Sequence, residues 1–310
     1  MLTRREFQTA GLLAAGALSM PGRASAAAAD GTGGEHVPDA GLPRDPASSV
    51  RQFMRLFAGL RGEVCISCEG IVYGHAAGAL PERLVGFRSA LIIRSSEPRP
   101  GVFRTEQREA MHYADLVTGE PLQSFKSPYN GETLLPIGYV SPLNVYFFDV
   151  QGSYMQRPTD APERGPSFDW RSDNADVWVT ESRFNTFPAA FTEAEFPRAF
   201  AGAERKSVDI LTYRASRRDF SDDGLASLPA YLTLQSFAPW PYWLMRGRAP
   251  GGVIWQGYGR KYPNFASMPR RFRETTESAF PGFLRDPWRF PEWEFGTAAQ
   301  MRRLRAAGKI

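Results

Sequence analysis

The feature that most constrains this chain is a succession of short runs of β-branched and aromatic residues, each closed by Gly, Pro, Asn or Asp. Such runs fall at 62–74, 83–95, 101–113, 121–126, 132–140, 143–155, 175–187, 206–216, 230–238 and 252–260, and no amphipathic helical pattern alternates with them. A parallel sheet needs a crossover helix between strands, so the pattern predicts an antiparallel sheet, either a lipocalin-like barrel or a strongly bent sheet. Asn130-Gly131 is the sharpest turn signal, because a two-residue hairpin corner asks for positive φ. Gly119 in "DLVTGE" does the same for the preceding corner, where Asp115 is placed to accept from backbone amides.

Helical periodicity occurs only at the two ends of the β-rich region. "SSVRQFMRLFAG", 48–59, puts Val50, Phe53, Met54 and Phe57 on one stripe. From about 265 the chain turns helical again: Met268, Phe272 and Ala279 have helical spacing, "RDPWRFPEWEF" reads as a strap over the sheet, and "TAAQMRRLRAAGKI" reads as a short solvated helix.

The first residues have a different logic. Arg4-Arg5 with Phe7, a modest apolar run and Ala24-Ser25-Ala26 make a twin-arginine export signal cleaved after residue 26. The apolar run is too short to remain as a membrane anchor. Residues 27–45 lack an apolar period and read as a disordered leader, which leaves 46–310 as a single β-rich domain. The expected location is the periplasm, reached in a folded state, with the export machinery as a transient partner.

Charge removes one large function class. The chain carries 37 basic and 33 acidic residues, and loss of Arg4, Arg5, Arg23 and Glu6 with the signal leaves the balance closer still. Nucleic acid binding needs a concentrated basic patch, so no nucleic acid partner is expected. The two cysteines, Cys65 and Cys68, lie three apart in an alternating run and so point to opposite faces of a strand. No zinc, dinucleotide or P-loop spacing is present, and the residues ask for no metal and no cofactor. Export in the folded state keeps a resident cofactor such as haem open as a third reading.

The segments "YADLVTGEPLQSFKSPYNGE", "YVSPLNVYFF", "LTLQSFAPWPYWLM" and "GYGRKYPNFASMPRRF" resemble the bacterial family catalogued as domain of unknown function 1838, from about Val50 to about Pro287. The resemblance implies one domain over that span and, because the family has no established reaction, implies no catalytic residue.

The residues themselves offer two functions. In "VFRTEQREAMHY", alternation places Arg104, Glu106, Arg108 and His112 on one face and Phe103, Thr105, Gln107, Glu109, Met111 and Tyr113 on the other. The charged row is either an exposed salt-bridged surface or the lining of a pocket. As a lining, Arg104 and Arg108, with Arg260, would hold an anionic or hydroxyl-bearing ligand against Trp178, Trp240, Trp243 and Tyr258, which makes a binder of a small apolar or aromatic molecule. The alternative is a cofactor-independent lyase, isomerase or hydrolase in which His112 works with Glu106 or Asp115 as an acid–base pair.

Overall fold

The computed structural model describes residues 41–150, 152–155 and 167–310, and within it Asp39–Ile310 forms one compact unit. The export signal and most of the leader lie outside the described residues.

The unit begins with helix α1, Pro46–Phe57. It starts two residues before the serine pair because Asp45 is the cap, accepting from the Ser48 amide at 2.9 Å, with Pro46 in the first turn. The strands follow: β1 Gly62–Ala76, β2 Glu82–Arg99, β3 Val102–Ala114, β4 Phe125–Lys126, β5 Thr133–Leu134, β6 Tyr139–Val140, β7 Asn144–Asp149, β8 Gly152–Met155, β9 Ser167–Ser172, β10 Asp176–Pro188, β11 Glu204–Ser216, β12 Tyr231–Ala238 and β13 Gly251–Tyr262. A short helix, α2 Arg217–Phe220, follows β11, and the chain ends in α3 Arg270–Ala279, α4 Glu292–Phe295 and α5 Thr297–Ala306.

One antiparallel sheet runs in the order β8-β7-β3-β2-β1-β13-β12-β11-β10-β9, with β6 also on β3. Among the described residues the path does not close, for β8 pairs only with β7 and β9 only with β10. The expected mainly β, antiparallel architecture is present with few helices, and the hydrogen bonding is that of an open sheet and not of a closed barrel. β4 and β5 form a separate hairpin.

Both turns of the 115–132 region follow from their residues. Gly119 and Gly131 have φ of 70° and 72°, and Asp115 accepts from the amides of Val117 and Thr118 at 2.9 and 2.8 Å. The Glu132 carboxylate pairs with Arg198, while its backbone closes the turn, the Ser127 amide donating to its carbonyl at 2.8 Å and its own amide donating to Asn130 Oδ1 at 3.2 Å.

The pleat divides the strands between two layers. One face of β1–β3 carries Val64, Ile66, Ile93 and Phe103, which pack with Phe53 and Phe57 of α1, Phe148 of β7 and Tyr213 of β11. The other face carries Cys65, Ile92 and Ala110, covered by Phe272, Phe280, Phe283 and Phe290 from the C-terminal segment. The strap expected over the sheet therefore lies on this second face. A further cluster on the first face joins Phe87, Met111 and Tyr113 to Trp240, Trp243 and Met301. Burial of Met301, with Leu304 packed against the same cluster, also corrects the reading of the terminal helix as simply solvated, since these side chains anchor α5 to the core.

β1 and β13 approach closely because glycines face each other. A Cβ on Gly70 would lie 2.0 Å from the Gln256 carbonyl oxygen and 2.6 Å from the Gly257 Cα, so no larger residue fits this crossing.

Candidate functional site

The α1-bearing face of the sheet encloses a cavity of about 900 Å³. Its walls come from β1–β3, β6, β7 and β10–β13, with the end of α1 and the first turn of α5. The pleat decides which residues reach it. On β3 these are Gln107, Glu109 and Met111; on β2 Phe87, Ser89 and Leu91; on β11 Ser207, Asp209, Leu211 and Tyr213.

Glu109 is the polar centre of one wall. Its carboxylate accepts from the Ser89 hydroxyl on β2 and from the Tyr139 hydroxyl on β6 at 2.9 Å. Its backbone is tied to the next loop, the Glu109 amide donating to Ser141 Oγ at 2.9 Å and the Ser141 amide to the Glu109 carbonyl at 2.7 Å. Burial pushes the Glu109 carboxyl above the usual carboxylate range; the Ser89 and Tyr139 bonds pull it back, and the charge of Asp209 pushes it up again. Burial, then the neighbouring Glu109, also holds the Tyr139 phenol well above its ordinary value.

The wall from β10 and β11 carries two further polar pairs. Glu181, fully buried, accepts from Arg183 in a two-pronged pair at 2.7 Å on each side. The guanidinium carbon lies 5.3 Å from the Phe57 ring centre and 5.8 Å from that of Tyr146. Burial works against this cation, but Glu181 outweighs it and holds Arg183 protonated. Asp209 lies opposite Arg183 in the β10–β11 register and accepts diagonally from the Asn185 side chain, itself opposite Ser207, at 2.6 Å. At the edge of the cavity Arg302 of α5 pairs with Glu195 at 3.0 Å.

The residues singled out from sequence lie elsewhere. Arg104, Glu106, Arg108 and His112 point away from the cavity, because the other row of β3, in which Glu109 is the one charged residue, faces it. Arg104 and Glu106 form an ion pair with each other at 2.7 Å, and Arg108 donates to the carbonyls of Trp288 and Phe290 at 3.3 and 3.0 Å. His112 is buried beside Phe280, ring centres 6.5 Å apart, and neither of its nitrogens makes a hydrogen bond among the described residues. Burial first, and the charge of Arg88 second, bring its pKa down to about 4. Asp115 is the turn acceptor already described, so His112 is joined to neither of its intended carboxylate partners.

The aromatic residues separate into core and outer surface. Trp240 donates to the Ala249 carbonyl at 3.0 Å, and Trp243 stacks edge-on with Tyr113 at 5.0 Å, so both belong to the core. Trp178 and Tyr258 do come together, but in a second groove of about 570 Å³, with Tyr231 and Arg214. Arg260 is exposed, 5.4 Å from the Tyr231 ring centre.

The cavity residues were signalled in the sequence by isolation and not by abundance. Glu109 in "EQREAMHY" and Asp209 in "KSVDILTY" each have an apolar residue two places on, Met111 and Leu211, so each is the single acid of its strand face, with Arg205 the one cation on that face of β11. Cys65 and Cys68 do take opposite faces, the former under the C-terminal layer and the latter on the cavity. Among the described residues, no group of three or more His, Cys, Asp or Glu could hold a metal ion, and no helix is long and apolar enough to cross a membrane.

Fold and site together define an antiparallel β-sheet protein with an aromatic-walled cavity into which two carboxylates project. The chain belongs to the family described as protein of unknown function DUF1838, whose model matches residues 62–301 and so takes in every strand of the sheet. No curated protein matches it.

Proposed function

We propose that the protein binds a small, largely apolar or aromatic molecule in the cavity between β3 and β11, and that it does so in the periplasm after twin-arginine export and loss of residues 1–26. The reading takes the sheet to be strongly bent, so that β3 and β11 are opposing walls. The observation that carries it is the cavity itself. About 900 Å³ lies within the usual range for small-molecule sites, and its lining combines Phe87, Leu91, Met111, Leu234 and Trp255 with a few fixed polar groups.

A second reading, turnover of the same ligand by acid–base chemistry, is favoured by the raised proton affinity of Glu109. The acid–base group is then Glu109 and not His112, which has no path to the cavity.

Nile red, a neutral apolar dye, provides the test. Wild-type protein is expected to take it up with a fluorescence increase. Leu234→Trp, which fills the cavity from β12, is expected to weaken uptake by about tenfold or more, equivalent to about 1.4 kcal/mol, at an unchanged melting temperature. Equal uptake by both proteins, or none by the wild type, would remove the cavity as the binding site.

A further inference from the structure

We propose that the cavity takes a cationic ligand, a protonated amine on an aromatic or apolar body, with its ammonium group held between the carboxylates of Glu109 and Asp209. This rests on the small-molecule reading above and specifies its chemistry.

The argument is a charge count. Four charged side chains line the cavity: Glu109, Arg183, Asp209 and Arg302. Both cations are already matched by carboxylates outside the lining, Arg183 by Glu181 and Arg302 by Glu195. Both acids have only neutral hydrogen-bond partners among the described residues, Ser89 and Tyr139 for Glu109 and Asn185 for Asp209, while Arg183, opposite Asp209 in the register, turns its guanidinium to Glu181. A carboxylate partly withdrawn from water without a bonded countercharge is costly, and the Ser89 and Tyr139 hydroxyls offset only part of that cost at Glu109. An incoming ammonium would offset more of it.

Two further observations point to a ligand with a polar end. Tyr213 and Ser236 are 3 % and 9 % exposed, line the cavity, and have hydroxyls with no hydrogen-bond partner among the described residues. The rings of Tyr139, Tyr213 and Trp255 also line it, and aromatic faces attract cations. A carboxylate ligand would find both guanidinium groups occupied and two acids facing it. That is the reverse of the anionic ligand expected from Arg104, Arg108 and Arg260.

Calorimetry near neutral pH with two matched series, tryptamine, tryptophol and indoleacetate, and octylamine, octanol and octanoate, separates the outcomes. The expected result is that the amine binds tightest in at least one series, by about tenfold over the alcohol, with the acid weakest. Asp209→Asn and the isosteric Glu109→Gln are each expected to weaken the amine by about fivefold or more and leave the alcohol unchanged. Glu109→Gln also tests the idea should Asp209→Asn fail to fold. Alcohols or acids binding as well as amines, amine affinity indifferent to both substitutions, or Nile red uptake without amine binding would overturn the cationic ligand and leave the cavity reading standing. Failure of Nile red and of all six compounds would remove both.

Discussion

His112 and Glu109 stand three residues apart on β3 and meet opposite surroundings, because odd and even positions of a strand face different layers. His112 was the more visible in the sequence, as a histidine in a charged row; Glu109 was one acid among neutral neighbours. Charge density is a poor guide to a cavity, since charged groups are retained most readily where water or a partner meets them. Arg104, Glu106 and Arg108 accordingly pair with one another or with carbonyls of the C-terminal segment, and the cavity-facing row carries the single acid Glu109. The buried His112 carries a pH dependence. Its folded pKa of about 4 lies below the ordinary 6.5, so between these values the unfolded chain binds a proton that the folded chain does not. Stability is therefore expected to fall as pH drops from 6.5 toward 4. His112→Leu, which removes two unpartnered ring nitrogens, is expected to abolish that part of the acid-side loss, read as the difference between wild-type and variant melting temperatures against pH. An unchanged difference across that window would assign the acid sensitivity to other groups.

At the scale of elements, most strands were legible because a half-buried strand alternates and a turn needs glycine, asparagine or proline. β1, β2, β3, β10, β11, β12 and β13 fall within a few residues of their expected ranges. β9 was missed: "SFDWRS" is short and follows a Pro-rich stretch, and its pairing with β10 is a long-range matter that local pattern does not encode. The 121–140 region reads as two strands but folds as the small β4–β5 hairpin and the short β6, because its backbone serves turns. The solvated appearance of α5 hid its anchors, Met301 and Leu304. β1 and β13 approach closely at Gly70. Gly70→Ala must push the β13 backbone away, and the expected cost is about 1–3 kcal/mol in chemical denaturation. A loss below that range would mean that the two strands separate easily.

For the whole molecule, the antiparallel class followed from the lack of crossover helices, whereas the open path did not, because closure depends on how the end strands meet. The cavity was least legible of all, since its walls come from strands far apart in sequence and only β11's separation from β3 in the sheet order makes room between them. Export belongs to this scale too, for twin-arginine transport carries a finished fold. Replacing Arg4 and Arg5 together by lysine is expected to retain the precursor in the cytoplasm, measured by cell fractionation; full periplasmic recovery would refute the export proposal. In an oxidising compartment the placement of Cys65 and Cys68 on opposite faces of β1 acquires a chemical meaning. The two thiols are buried on different sides of one layer of backbone, and burial raises both pKa values to about 12, which leaves almost no thiolate near neutral pH. The pleat of β1 thus acts as insulation between them: the two sulfurs cannot join each other without pulling the strand apart.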